Sequence, residues 1–202
     1  VYTLKWGMSS WNKQNAQNFW VKNSTNNHAS KLETKANLIP SKGATPMIST
    51  GKTEAKEILA ERASMAIGTA YGKFIIKADD VFANPSNYYI VNYWNEDQYT
   101  KGHIPGSIHY QPNKSLNFSE SLSTLPTDKK IVVWCSTGQT AAHIVAYLHM
   151  LGYDAGNLAY GANSFMNAEL IKNGEGWNAF TEKESNNFPL ATKELAAPGC
   201  AE

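Results

Sequence analysis

Ile131-Val132-Val133-Trp134-Cys135-Ser136-Thr137-Gly138-Gln139-Thr140-Ala141-Ala142-His143-Ile144-Val145 is the stretch whose reading decides the fold. Its first four residues are continuously apolar and β-branched or aromatic, the pattern of a strand buried on both faces. After Cys135 the composition switches to small polar residues around Gly138, and from Ala141 the apolar positions fall at helical spacing. A buried strand therefore hands a thiol to a helix N-terminus. Backbone N–H groups at such a turn have no partners within the helix, and with the helix dipole they favour an anion. Gly138 permits a tight loop, while Ser136, Thr137 and Thr140 bond locally rather than demand a core. A free cysteine is most often a small buried hydrophobe. This setting instead marks Cys135 as a candidate nucleophile.

The same alternation extends upstream. Pro40-Ser41-Lys42-Gly43-Ala44-Thr45-Pro46 has linker composition. A helix is predicted from near Thr53 to about Gly68, with Ile58, Leu59, Met65 and Ala66 on one apolar face. Phe74 to Lys77 reads as a short strand, and Asp79 or Asp80 as the start of a helix that Pro85 stops. Tyr88 to Asn92 is a buried strand, Glu96 to Tyr99 a short helix, Ile108 to Tyr110 another strand, and Leu116 to Leu125 a loosely helical connection. Alternating β and α segments of this length need crossover connections, hence an α/β fold with a mainly parallel sheet covered on both faces. Ligands of such sheets bind beyond the strands' carboxyl ends, where Cys135 falls.

Composition narrows the function. A length of 202 residues fits one full α/β domain with something attached. The formal charge of +1, without a Lys/Arg run, provides no electrostatic case for nucleic acid or an anionic membrane. No stretch is apolar for long enough to span a bilayer. Two cysteines, Cys135 and Cys200, do not make a disulfide framework or a Cys-x-x-Cys site, and the five histidines form no metal-ligand pattern. Abundant Asn, Ser and Thr with little charge suit a periplasmic or extracellular protein, although a single reactive thiol also suits the cytoplasm.

Three motifs then align with a known family. Around the Cys135 loop, and upstream at Gly102-His103-Ile104-Pro105-Gly106-Ser107-Ile108, and downstream at Leu151-Gly152-Tyr153-Asp154 with Leu158-Ala159-Tyr160-Gly161-Ala162, the chain resembles the rhodanese sulfurtransferases, in family order over roughly residues 70–180. The resemblance implies a five-stranded parallel sheet flanked by helices. It also implies transfer of a sulfane sulfur from a persulfide, polysulfide or thiosulfate donor to a thiol or other nucleophile through a Cys135 persulfide, without metal or organic cofactor. The backbone amides of Ser136, Thr137, Gly138, Gln139, Thr140 and Ala141 are expected to cradle that sulfur. His103 is expected to fix its loop by hydrogen bonding.

Two departures bear on the substrate. Family members that use thiosulfate usually carry Arg or Lys in the loop, where this chain has Ser136, Thr137, Gln139 and Thr140. The family's Asp-x-Arg after the second strand is here Asn92-Tyr93-Trp94. Asn92 is expected to bond the surroundings of the site and Trp94 to pack. A sulfur-carrier or regulatory module with little catalysis is the alternative reading, while a cysteine phosphatase would need an Arg where Ala141 stands.

The chain also holds signs of duplication. Leu4, Gly7, Ser10 and Trp11 match Leu158, Gly161, Ser164 and Phe165 in spacing; Asn26-Asn27 matches Asn186-Asn187, and Thr34 to Pro40 matches Thr192 to Pro198. Residues 1–43 are therefore expected to be the tail of a preceding repeat, with Val1 to Trp6 as its strand. Residues 44–70 form a linker and helix, and 71–202 the complete domain with its C-terminal tail. Read otherwise, residues 1–43 are an unrelated Asn-rich extension. Among the aromatics, Trp6, Trp11, Trp134, Trp177, Tyr160 and Phe165 are expected mostly in the core. Some are alternatively an interface, with the missing part of the repeat or in a homo-oligomer. Cys200 is expected to be exposed and incidental, or a resolving thiol for Cys135.

Overall fold

The computed structural model describes residues 4–190. Cys200 and the Thr192–Pro198 match lie outside the described residues, as do Val1, Tyr2 and Thr3. The described residues divide into two compact units, 4–24 with 180–190, and Thr25–Ala179.

In the smaller unit the described part of the expected N-terminal strand is a turn, not a strand. Gly7 N–H donates to Leu4 O at 3.0 Å, which closes a turn over residues 4–7. Two single-turn helices follow, α1 (Met8–Trp11) and α2 (Lys13–Ala16), separated by the extended Asn12. Apolar closure comes from Trp6, whose ring centroid lies 4.6 Å from Trp20 and 5.3 Å from Phe180, with its indole N–H donating to Glu184 Oε2 at 3.0 Å.

The first α-helix of the larger unit is α3 (Ala55–Gly68), but its predicted apolar face is not buried: Leu59 and Met65 are exposed. Arg62 anchors this helix instead, donating from Nε to Met150 O at 3.0 Å and from Nη2 to His149 O. Those carbonyls lie at the C-terminal end of a later helix, where His149 O also accepts from Gly152 N–H at 3.0 Å, so the guanidinium adds a donor there and opposes the dipole's negative end. The chain continues through β1 (Ile75–Ile76), α4 (Ala78–Ala83), β2 (Tyr88–Asn92), α5 (Glu96–Tyr99) and β3 (Ile108–His109). Asp79 and Asp80 lie within the first turn of α4 rather than capping it, and Lys77 holds the cap position. Residues 116–125 are turns with one 3-10 turn at Leu122–Thr124, because Leu116, Leu122 and Leu125 all dip into the core from an irregular path. Then come β4 (Lys130–Trp134), α6 (Gln139–Met150), β5 (Ala155–Leu158) and α7 (Asn163–Asn173).

All five strands pair in parallel, in the order β1-β5-β4-β2-β3. One face of the sheet buries Val91, Ile131 and Val133 under Ile144, Val145 and Leu148 of α6. The other buries Ile90, Val132 and Trp134 under Val81 of α4 and Phe165 and Leu170 of α7. Each such side chain, fully buried, contributes roughly 1.5–3 kcal/mol. No helix among the described residues is long and apolar enough to cross a membrane.

A hydroxyl chain crosses the first face: Tyr89 OH lies 2.8 Å from Tyr110 OH, which lies 2.7 Å from Thr124 Oγ1. Burial pushes both phenols above their usual 10.0, most strongly Tyr89, where the Tyr110 hydroxyl adds to the effect. The unfolded chain therefore ionises first as pH rises, so the stability held below pH ~10 is lost above it. The midpoint of urea unfolding is expected to stay level to about pH 9 and then fall by about pH 11. Replacing Tyr89 and Tyr110 together by Phe should flatten that fall, and an unchanged slope in the double variant would count against the chain of hydroxyls as its source.

Candidate active site

The central strand β4 ends at the fully buried Trp134, and Cys135 is the first residue beyond it. Its side chain is nearly enclosed, at 3% exposure. Gly138 N–H nonetheless reaches back to Cys135 Sγ at 3.2 Å. The reversal depends on Gly138, whose φ of 82° lies in the left-handed region. A Cβ there would also sit 3.0 Å from Leu158 O. α6 starts at the next residue; Ala142 N–H donates to Gly138 O at 2.9 Å, and the amides of Gln139, Thr140 and Ala141 occupy the first turn, where helical geometry offers no acceptor. Gln139 N–H lies 3.3 Å from Thr137 Oγ1.

The turn after β5 holds the loop from behind. Ala162 N–H donates to Cys135 O at 2.9 Å, and Asn163 donates to Ser136 O from its backbone at 3.3 Å and from Nδ2 at 2.8 Å. Asn163 is itself fully buried; Nδ2 also donates to Asn178 O at 3.1 Å and its Oδ1 accepts from Asn167 Nδ2 at 2.8 Å. These bonds hold the carbonyl side of the loop, opposite the Gly138 N–H that reaches Cys135 Sγ. Gly161 permits the approach: at φ 54° it has room for no side chain, since a Cβ would stand 2.2 Å from Cys135 O and 2.6 Å from Gly138 N.

Ser136, Thr137 and Gly138 are buried around the thiol, whereas Gln139 and Thr140 face solvent at the rim. Residues 135–142 contain no charged side chain. Among the described residues no cluster of His, Cys, Asp and Glu could hold a metal ion. A cavity of about 210 Å³ lined by Phe74, Ala142, Val145 and Asn157 runs beside α6, and Cys135 does not line it.

The supporting residues expected from the sequence divide. Asn92 pairs in register with Trp134, one position short of Cys135. Contrary to expectation, its fully buried amide makes no hydrogen bond through either Oδ1 or Nδ2. Leaving such a group unsatisfied costs roughly 1–3 kcal/mol. Trp94 packs as expected, with ring centroids 5.9 Å from Trp134 and 4.9 Å from Trp177. His103 is not brought to the thiol; Nδ1 bonds Tyr99 O at 2.8 Å, the ring stacks on Tyr99, and Nε2 lies 3.4 Å from Glu33 Oε1. What its loop contributes is Ser107, whose Oγ accepts from the Trp134 indole at 2.9 Å and so steadies the strand end carrying Cys135.

Residues 83–168 match the family described as Rhodanese-like domain. The chain carries a rhodanese-like domain. This domain contains the Cys135 loop, β4, α6 and the Gly161 turn. It is similar to a rhodanese-related protein from Thermoplasma volcanium, with 28% identity, 49% of this chain and 91% of that one covered, and a TM-score of 0.41. A rhodanese-like domain protein from Staphylococcus aureus is 21% identical over 45% of this chain and 89% of its own, at a TM-score of 0.41. A full-length protein from Lactobacillus plantarum is 24% identical over 52% of this chain and 92% of its own, again at 0.41. No curated protein matches the chain.

Asn163 is the residue at this loop that sequence reasoning did not name, whereas Ser107 and Gly161 stood within the quoted motifs without these contacts assigned to them. Gly161 carried a signal, a glycine three residues beyond the last strand; Asn163 carried none. Gly161→Ala is expected to destabilise the domain by at least about 2 kcal/mol, from overpacking added to a left-handed backbone. Denaturant unfolding of the variant checks this, and a change within about 0.5 kcal/mol would show that the loop yields where the geometry says it does not.

Proposed function

We propose that this chain is a sulfurtransferase in which Cys135 carries the sulfur. The supporting observation is the 3.2 Å contact from Gly138 N–H to Cys135 Sγ at the start of α6. A thiolate at Cys135 attacks the outer, sulfane sulfur of the donor. The donor's S–S bond breaks, its electron pair leaves with the departing thiolate or sulfite, and a Cys135 persulfide remains. An acceptor thiolate then attacks the outer sulfur, and the Cys135 thiolate is released as leaving group. No oxidant or reductant is needed in either step. The amides of residues 136–141 stabilise the anion at each stage by fixed dipoles that need not reorganise.

The neutral rim shapes the choice of donor. Thiosulfate brings two negative charges to a loop whose exposed side chains, Gln139 and Thr140, supply none in return. A charge-assisted hydrogen bond is worth roughly 1.5–3 kcal/mol, and each 1.4 kcal/mol is about tenfold in rate. Persulfide and polysulfide donors are therefore favoured. The near-complete enclosure of the thiol and the absence of loop charge also favour a second reading, a sulfur carrier that loads but turns over slowly.

Incubation with a low-molecular-weight persulfide, followed by intact mass spectrometry, is expected to add one sulfur atom to the wild type and to Cys200→Ser, and none to Cys135→Ser. Retention of the added mass in Cys135→Ser would overturn the assignment. In steady-state assays run side by side, kcat/KM with polysulfide should exceed that with thiosulfate by about tenfold or more. Equal or better thiosulfate turnover would reverse the ranking, whereas loading without turnover on either donor would identify the carrier.

A further inference from the structure

The turn and broken helix that close the sheet occur twice in this chain. Gly7 and Gly161 share a left-handed φ, 58° and 54°. Gly7 N–H donates to Leu4 O and Gly161 N–H to Leu158 O, both at 3.0 Å, and Ser10 N–H donates to Gly7 O as Ser164 N–H does to Gly161 O, again both at 3.0 Å. The helix then breaks at the same place, at Asn12 with φ −146° and at Met166 with φ −144°. Each copy is also bound by a similar strap. Phe188 N–H donates to Trp11 O at 3.0 Å, and His28 N–H to Phe165 O at 3.3 Å. Those straps read Ser185-Asn186-Asn187-Phe188 and Thr25-Asn26-Asn27-His28.

What surrounds the two copies differs. Leu158, Ala162 and Phe165 are each 0% exposed, buried with Ile76, Val81, Val132 and Trp134 of the sheet and α4. Their counterparts Leu4, Met8 and Trp11 are 49%, 52% and 37% exposed. Gly161 is crowded by the Cys135 loop, but a Cβ on Gly7 would meet nothing within 4 Å. Among the described residues, the copy near the N-terminus thus keeps the conformation of a sheet-closing element with no sheet against it.

We propose that residues 4–24 with 180–190 are the closing end of a second rhodanese-like domain, and that the face formed by Leu4, Met8 and Trp11 seats that domain's parallel sheet, carried by the polypeptide immediately upstream of Val1. The occupant follows from the repeat: the same turn, break and strap in the complete copy pack on strands and on the helix after the first strand. This assignment is independent of the sulfur chemistry at Cys135.

The test compares chain 1–202 with the chain extended upstream as its own gene encodes it. Hydroxyl-radical labelling of Leu4, Met8 and Trp11 is expected to slow at least about fivefold in the extended chain, as burial removes solvent contact. Met8→Glu should leave Tm of chain 1–202 within about 1 °C and lower Tm of the extended chain by about 5 °C or more, because there the carboxylate is driven into an apolar interface. The proposal is overturned by undiminished labelling in the extended chain, by equal tolerance of Met8→Glu in both forms, or by an upstream sequence without a strand-helix alternation. A dimer of chain 1–202 that Met8→Glu dissolves would also overturn it, making a second copy the occupant.

Discussion

The contact on which this structure depends is one of backbone against backbone: the turn at Gly161 pressed on the loop that carries Cys135. Ala162 and Asn163 take up the carbonyls of Cys135 and Ser136. A peptide whose carbonyl is engaged on one side presents its neighbouring amide on the other, so the contact from behind and the Gly138 N–H contact to Cys135 Sγ in front are two faces of one arrangement. The loop belongs to the end of β4 and the turn to the end of β5, which are hydrogen-bonded neighbours at the centre of the sheet. Sheet pairing thereby sets the site's geometry, and the site inherits the rigidity of the best-buried part of the domain.

Charge is conspicuously absent from the same region. Residues 135–142 carry none, and Asn92 occupies the end of β2 with an amide that bonds to nothing. A neutral amide buried without partners costs far less than an unpaired carboxylate would, so replacing both members of an ion pair is tolerable where losing one is not. The loop around Cys135 therefore offers dipoles and no charge. Dipoles are short-ranged compared with a guanidinium, so under the proposed function they would hold a sulfur already bound to Cys135 while doing little to draw a dianion from solution.

Much of the architecture was legible beforehand. Tyr88–Asn92, Glu96–Tyr99 and the strand ending at Trp134 emerge where their apolar runs and turn signals put them, because strands buried on both faces leave a near-continuous pattern. Misreadings arise where a local pattern met a different tertiary anchor. Leu59 and Met65 of α3 are spaced for burial, yet Arg62 holds that helix through the carbonyl end of α6. His28 stacks on Phe82 and bonds Asp79 at 2.6 Å, a pairing 51 residues apart that no local pattern encodes.

Taken alone, the amino-acid sequence determined the parallel α/β class, the position of Cys135 between a strand and a helix, and the two places where the sheet-closing pattern recurs, since each rests on spacing within a short window. Tertiary structure alone decided which amide reaches the sulfur, which asparagine steadies the loop, and which of the two glycine turns is crowded and which open. Those outcomes depend on chain segments distant in sequence arriving within a few ångströms of one another, and the hydrogen bonds and van der Waals contacts that choose among them act only at that range.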